Sequence, residues 1–466
     1  MKSNMFKVIV GLVLVLVIVL GVWFMVGQPP TEEPVAEAPV AEEPNDRPIA
    51  QDPAEKTKIV VGGWPAGDTA FEAILSGFNQ QYPNIEVELS FISTADHHLL
   101  LTTAIAAGTG APDVAMIEQA PIGTYRDMEG LENLLEAPYN AGELKEDFVE
   151  YKWNLALSVD GTRLVGLPWD IGPATLFYRR DVFEDAGLPS EPEEVERLLS
   201  TWDGFLEAAE MIYKPGERWI LPSAHLLFSW HFMNRDFFDE RLELLLDRPG
   251  AMEALNAAIT MNNNGWDAGL FDMWTPEVYS GLAEGRIASV VAGSWYGGFI
   301  KTWIAPETSG LWGVTRLPGG VGDSNWGGSY LAIPSQSENK EAAWSFIRYA
   351  LATKEAQNTM FRAVDYFPAF IPAWDDPLYT EPDPFFGGQK TRSLWVDIAA
   401  GITPSFSTPM DATVEEVLNT TVNTGLDLGN SADEIISMIK EQVDIAIRED
   451  RYRFIEILED AGIWEN

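Results

Sequence analysis

Seventeen tryptophans occur in a chain with no cysteine, and five of them stand in loop-like stretches. These are Trp64 in GGWPAG, Trp169 in GLPWDIGP, Trp230 in LFSWHF, Trp295 in AGSWYGG and Trp326 in SNWGGS. A large flat ring on a Gly- or Pro-flanked turn projects from a scaffold instead of filling it. It offers an apolar face and one N–H donor, and such rings commonly line binding clefts. A sugar needs that combination, because its axial C–H faces stack on rings while its hydroxyls seek polar partners. Any one of these tryptophans reads equally well as ordinary core. Five together favour a cleft.

Residue patterns for bond-making chemistry are scarce. The four histidines, His97, His98, His225 and His231, show no i, i+4 spacing that would put two imidazoles on one helix face for zinc. There is no G-x-S-x-G elbow. Gly108-Thr109-Gly110 lacks the Lys-Ser/Thr of a phosphate loop and reads as a helix terminator. No D-x-D-x-D-G spacing points to calcium. With 71 acidic residues, some carboxylate pair will always resemble a glycosidase dyad, so that resemblance carries no weight. The sequence therefore predicts no catalytic residues and no cofactor, and it names no metal ligands, leaving open whether a cation binds.

Composition narrows the partners. A formal charge of −41, from 71 acids against 30 bases, excludes nucleic acid, whose binding relies on Lys and Arg neutralising phosphates. It also disfavours an anionic substrate. The absence of cysteine excludes disulfides, thiol nucleophiles and attachment of a lipid to an N-terminal cysteine. Lys2 and Lys7 precede an apolar run from Val8 to Gly27, long enough to span a bilayer. Lysines before it and acids beyond predict the N-terminus inside and the remainder outside. Residues 1–27 read as an uncleaved membrane anchor, with a cleaved export signal as the alternative. Residues 28–57, rich in Pro, Glu and Ala, read as an extended tether.

The elements that must position the rings follow as strands alternating with helices. Lys58–Val61 reads as a strand. Thr69 and Glu72 have capping-box spacing ahead of Phe71, Ile74, Leu75, Phe78 and Tyr82 at helical intervals. Ile85, Val87, Leu89 and Phe91 alternate as a strand should. A helix through Leu99–Ala107 and the apolar run Val114–Ile117 complete a βαβαβ unit, the mark of an α/β sheet. Ligands of such sheets bind beyond the carboxyl ends of the strands. Trp64 and the Glu118-Gln119 pair occupy that position after the first and third strands. Further on, Thr201, Thr275, Ser337 and the Ser431/Glu434 box read as helix starts, and Arg286–Ala292 as a strand delivering Trp295.

Five segments in fixed order carry a resemblance. They are FEAILSGFNQQYPNIEVEL, LLTTAIAAGTGAPDVAMI, DGTRLVGLPWDIGPATLFYRRDVFEDAGL with TWDGFLEAAEMI, LAEGRIASVVAGSWYGG, and WGGSYLAIPSQSENKEAAWSFIRYALATKEAQ. Together they resemble the extracellular solute-binding proteins of ABC importers, in the carbohydrate-binding family related to maltose-binding protein. The resemblance covers residues 58 to about 357. It implies a two-lobed α/β fold of the periplasmic-binding-protein type, with a hinge and a ligand cleft between lobes. By the same resemblance one lobe comprises about 58–167 and 313–353, and the other about 168–312 and 354–466.

The resemblance also implies a site. Trp64 and Gln119 should lie on the first lobe with Trp326, Gly327 and Ser329. Trp169, Asp170, Trp230 and Trp295 should face them, with Tyr366 on a late loop. Glu118 replaces Gln119 if the third strand ends one residue earlier. The expected partners are a sugar or oligosaccharide, the permease subunits of an ABC importer, and the membrane through the N-terminal helix, the protein itself being a monomer at the cell surface or in the periplasm. Rival readings are a binding protein for a polyol or glycerol phosphate ester, a sensor ectodomain, and a secreted carbohydrate-active enzyme.

Overall fold

A short β-branched run makes the first strand and alternating apolar residues the second, and their register sets one edge of the main sheet. The computed structural model describes residues 56–464. The expected anchor (1–27) and nearly all of the expected tether (28–57) lie outside the described residues. Among those described, no helix is long and apolar enough to cross a membrane. Strand β1 (Thr57–Gly63) pairs in parallel with β2 (Ile85–Phe91), from Thr57 opposite Ile85 to Gly63 opposite Phe91. It also pairs in parallel with β3 (Val114–Glu118). The connecting helix Gly67–Gln81 buries Phe71, Ile74 and Phe78, the residues whose helical spacing predicts it.

This helix starts earlier than its capping-box spacing implies. Ala66 precedes it at φ 75°, no side chain caps it, and Thr69 already lies in the first turn. The Ser431/Glu434 box, by contrast, forms in full ahead of helix Ala432–Ala446. Thr201 and Thr275 cap their helices as expected. Ser337 instead accepts a bond from Asn339 N–H and donates to Asp113, and the helix begins at Lys340.

Seven further strands complete the sheets: β4 (Leu167–Pro168), β5 (Asp170–Ile171), β6 (Ala174–Arg179), β7 (Ser289–Gly293), β8 (Trp312–Thr315), β9 (Ser329–Ala332) and β10 (Phe367–Pro368). The main sheet runs β2-β1-β3-β9-β4, with β9 antiparallel to both of its neighbours. A second sheet, β7-β6-β8, is antiparallel throughout. Its faces alternate: Phe177 points into the core shared with the main sheet, whereas Leu176 and Tyr178 point into a second core. Helices Trp202–Ile212, Pro249–Asn264, Asp411–Leu428 and Ala432–Ala446 supply that second core.

Strand pairing moves two of the expected boundaries. Residues 313–315 lie in β8, hydrogen-bonded to β6, so they belong with the second sheet. The helix Lys354–Val364 packs on Gly67–Gln81, which places it with the main sheet. Both shifts have one cause. A lobe is defined by which strands and faces pair, and pairing between segments remote in sequence leaves no local mark.

Candidate functional site

The amino end of β9 is where distant parts of the chain converge. Ser329 opens β9 and lies opposite Glu118, the last residue of β3. Pro168 pairs with Tyr330, so the chain leaving β4 delivers Asp170 beside Ser329. Strand β10 pairs with β5, Pro368 opposite Asp170, and so brings in Tyr366. Trp64 follows β1, whose carboxyl end lies on the same side because β1 and β3 are parallel. These segments surround a cavity of about 660 Å³. That is within the range of small-molecule sites.

Six aromatic rings line this cavity: Trp64, Trp274, Trp295, Phe299, Trp326 and Tyr366. Trp274 and Trp295 lie nearly parallel, 18° apart with centroids at 5.8 Å. Trp326 stands edge-on to Trp295 at 6.2 Å and 71°. The indole N–H of Trp295 donates to the Trp326 carbonyl at 2.9 Å, which ties the two walls together. Trp64 is supported from behind by His98, with centroids at 5.4 Å. His98 accepts the Glu118 N–H on Nε2 and bonds the Thr94 carbonyl through Nδ1, which makes it the neutral tautomer protonated at Nδ1. Burial lowers its pKa and favours that neutral form.

Two carboxyl groups, Glu118 and Asp170, complete the lining with Ser93, Thr94, Gly327, Gly328 and Ser329. Asp170 accepts the Ser329 N–H at 2.8 Å and the Ser329 hydroxyl, both on Oδ1. Burial raises the pKa of Glu118, against the lowering effect of Arg235 and Lys152. Gly327 and Gly328 turn the chain with φ of 81° and 91°. A Cβ on Gly328 would collide with the Asp170 carbonyl and approach Lys152 Nζ, so the close crossing needs glycine.

The structure thus brings together seven of the ten expected residues: Trp64, Asp170, Trp295, Trp326, Gly327, Ser329 and Tyr366. Three lie elsewhere. Trp169 is fully buried and stacked on Phe71, centroids 4.7 Å apart. In extended chain, successive side chains alternate, so with Asp170 facing the cavity Trp169 must face the core. Trp230 is buried against Trp202 and Phe205 on the far side of the cavity floor. Gln119 begins the helix Gln119–Arg126 and points beneath the floor, because β3 ends at Glu118, the stated alternative.

Trp274 and Phe299 are absent from the expected set. Trp274 sits one residue before the Thr275-Pro276 helix start, a Pro-flanked position of the kind that singles out the other tryptophans. Phe299 is four residues after Trp295, on the same side of a helical turn. Trp326 also differs in placement: its backbone N–H donates to the Gly172 carbonyl at 2.7 Å, and its ring adjoins that of Trp295 and does not oppose it.

Below the floor lies a fully buried polar network. Lys152 Nζ donates to Gln119 Oε1 at 2.8 Å and to the Gly327 carbonyl at 3.2 Å. It also lies 4.5 Å from the Tyr330 ring centre. Burial lowers the Lys152 pKa to about 7, and burial raises that of Asp170 to about 6 in spite of the nearby Lys152 charge. The native pKa of Lys152 lies below its ordinary 10.5, so its contribution to stability is complete above pH 10.5 and is lost as pH falls towards 7. Asp170 works the other way: its contribution is complete below 3.8 and lost as pH rises through about 6. Between pH 7 and 10, the melting temperature of the native chain should rise relative to a Lys152→Met variant, in which residue 152 has no proton to lose. Parallel melting curves for the two proteins across that range would show that Lys152 keeps its ordinary basicity.

A concave aromatic cavity with a few convergent polar groups is the form of a small-molecule binding site. Among the described residues no group of three or more His, Asp or Glu side chains is placed to hold a metal ion. Residues 62–357 match the family model described as bacterial extracellular solute-binding protein, and the chain belongs to that family. The family is one of binding proteins that act outside the cytoplasm.

An arabinooligosaccharide-binding protein of Halalkalibacterium halodurans is 25% identical over 346 residues, covering 70% of this chain and 75% of that protein. The ABC transporter associated binding protein of B. animalis subsp. lactis, solved with β-1,6-galactobiose, superimposes with a TM-score of 0.69 at 24% identity. The match covers 84% of this chain and 98% of that one. A sugar-binding protein of Xanthomonas citri gives a TM-score of 0.69 at 22% identity, covering 85% and 99%. These structures share a two-lobed fold of mixed α/β content, and the present chain has that fold.

Proposed function

We propose that this chain captures a sugar or oligosaccharide between two lobes and delivers it to the membrane-spanning subunits of an ABC importer. The observation that carries this reading is the set of six aromatic rings, with Glu118 and Asp170, around one cavity of about 660 Å³. The rings supply stacking faces, and the carboxyl groups and the glycine-rich turn supply hydroxyl partners. Relatives named for arabinooligosaccharide and lactose binding support it. The two carboxyl groups oppose a phosphate ester by like-charge repulsion, which disfavours that alternative.

One lobe is built on the main sheet, about residues 58–167 and 329–364. The other is built on the second sheet, about 168–315 with the C-terminal helices. Residues 316–328 form one of the crossings. A ligand touching both lobes makes its full set of contacts only when they are closed, so binding shifts the population towards closure. The closed form is what a permease would recognise. The ligand-binding set is Trp64, Glu118, Asp170, Trp274, Trp295, Phe299, Trp326, Gly327, Ser329 and Tyr366. The subunit makes and breaks no bond, works as a monomer, and is held at the membrane by its N-terminal helix.

A thermal-shift screen over mono- and oligosaccharides, polyols and glycerol phosphate esters tests the reading. A ligand at one hundred times its Kd stabilises the native state by about 2.7 kcal/mol. A sugar should therefore raise the melting temperature measurably. A rise with polyols or phosphate esters alone, or turnover of a bound sugar, would overturn it.

A further inference from the structure

Aromatic rings continue past the edge of the cleft. Trp295, Phe299 and Trp303 stand four residues apart along the helical stretch formed by Tyr296–Phe299 and Ile300–Ile304, and so follow one side of it. Phe299 lies 5.6 Å from Trp295 and 5.5 Å from Trp303, between ring centres. Tyr279 meets Trp303 edge-on at 4.9 Å and holds its orientation. Beyond Phe299 and Pro65 opens a second cavity of about 640 Å³, into which Trp303, Thr69, Lys301 and Asp365 face. Pro65 and Phe299 line both cavities, so the two adjoin with these residues as the sill between them.

The second compartment has the chemistry of a neutral polar ligand. Its three cations are each paired: Lys301 with Asp365 and Asp383 at 2.7 Å, Arg362 with Asp376 at 3.4 Å, and Arg392 with Asp383 at 3.8 Å. An anionic group entering it would have to displace a carboxylate that is already in place. Hydroxyl groups can share those charged partners without breaking them. Trp303 is 50% exposed and contributes little to the core. A single exposed tryptophan is ordinary. One at the end of a ladder of rings, lining a cavity that opens from the cleft, has the position of a stacking platform.

We infer that the ligand is a neutral oligosaccharide longer than two rings. Its proximal end occupies the cleft between Trp64, Trp274, Trp295 and Trp326, and its distal end crosses the Pro65–Phe299 sill to stack on Trp303. The inference rests on the sugar-binding reading above and adds ligand length and a distal subsite to it.

The test is calorimetric titration of the full chain with arabino-, galacto- and malto-oligosaccharides, from one ring to about six. Affinity should rise with length by about tenfold beyond two rings. Trp303→Ala should remove about three- to tenfold of affinity for the long chains, the value of one lost aromatic contact, and leave the short ones unchanged. Trp303→Phe, which keeps a ring, should restore part of the gain, and this rescue separates stacking from any loss of folding. Length-independent affinity in the native chain, or a Trp303→Ala variant that binds every length as the native chain does or weakens all lengths alike, would overturn the inference while leaving sugar binding intact. Failure of every sugar to bind would overturn both.

Discussion

Replacing Trp295 by alanine should weaken sugar binding by about a hundredfold, or roughly 2.7 kcal/mol, the scale of a buried aromatic hot spot. Three arrangements depend on this one ring. It provides a face to the cavity, it lies parallel to Trp274, and its N–H holds the Trp326 carbonyl at 2.9 Å. Removing it takes away one stacking surface and lets two others move. The fold should survive, since the indole lies at the cavity wall and is not fully buried. Trp295→Phe keeps the stacking face but loses the N–H, so it should fall between the two. Titration calorimetry reads the affinity and thermal melting the fold. An unchanged Kd for Trp295→Ala would remove this residue from the binding set.

The largest expected stability loss comes from Asn325→Ala, about 3–5 kcal/mol, from two orphaned buried donors and the space left behind. Asn325 is 1% exposed, and its amide uses its full capacity. Its Oδ1 accepts the Tyr151 hydroxyl and the Gly172 N–H, both at 2.8 Å. Its Nδ2 donates to Gln119 Oε1 at 2.8 Å and the Gly327 carbonyl at 2.9 Å. Alanine leaves Tyr151 and Gly172 without acceptors, whereas Gln119 and Gly327 keep their bonds from Lys152. Urea denaturation should show a lower midpoint. A double-mutant cycle with Tyr151→Phe should be non-additive, because both variants delete the same bond. An unaltered midpoint would mean that the crossing segments are held by other contacts.

Much of this was legible in the sequence. The βαβαβ opening shows in the alternation of Ile85, Val87, Leu89 and Phe91 and in the spacing of Phe71, Ile74 and Phe78, because strands and helices impose periods of about 2 and 3.6 residues. The five ordered motifs pointed to the family that residues 62–357 match. Loop tryptophans marked the region of the cavity.

Which tryptophans face it was a different matter. Trp169 and Asp170 are neighbours on extended chain, and a shift of one residue exchanges the ring for the carboxylate. The same single-residue step separates Glu118, at the end of β3, from Gln119, at the start of a helix. Trp230 lies in a helical turn whose inward face is set by Trp202 and Phe205, residues some two dozen positions away in the chain.

By itself, then, the sequence determined the order of strands and helices, the family, and a stock of rings suited to stacking on sugars. The tertiary structure alone decided which rings share a wall, that Trp326 adjoins Trp295, and that β8 joins the second sheet. Local periodicity reports on a residue's neighbours along the chain. The direction of a loop side chain depends on partners far along it, as when Asn325 draws residues 119, 151 and 172 to a single amide.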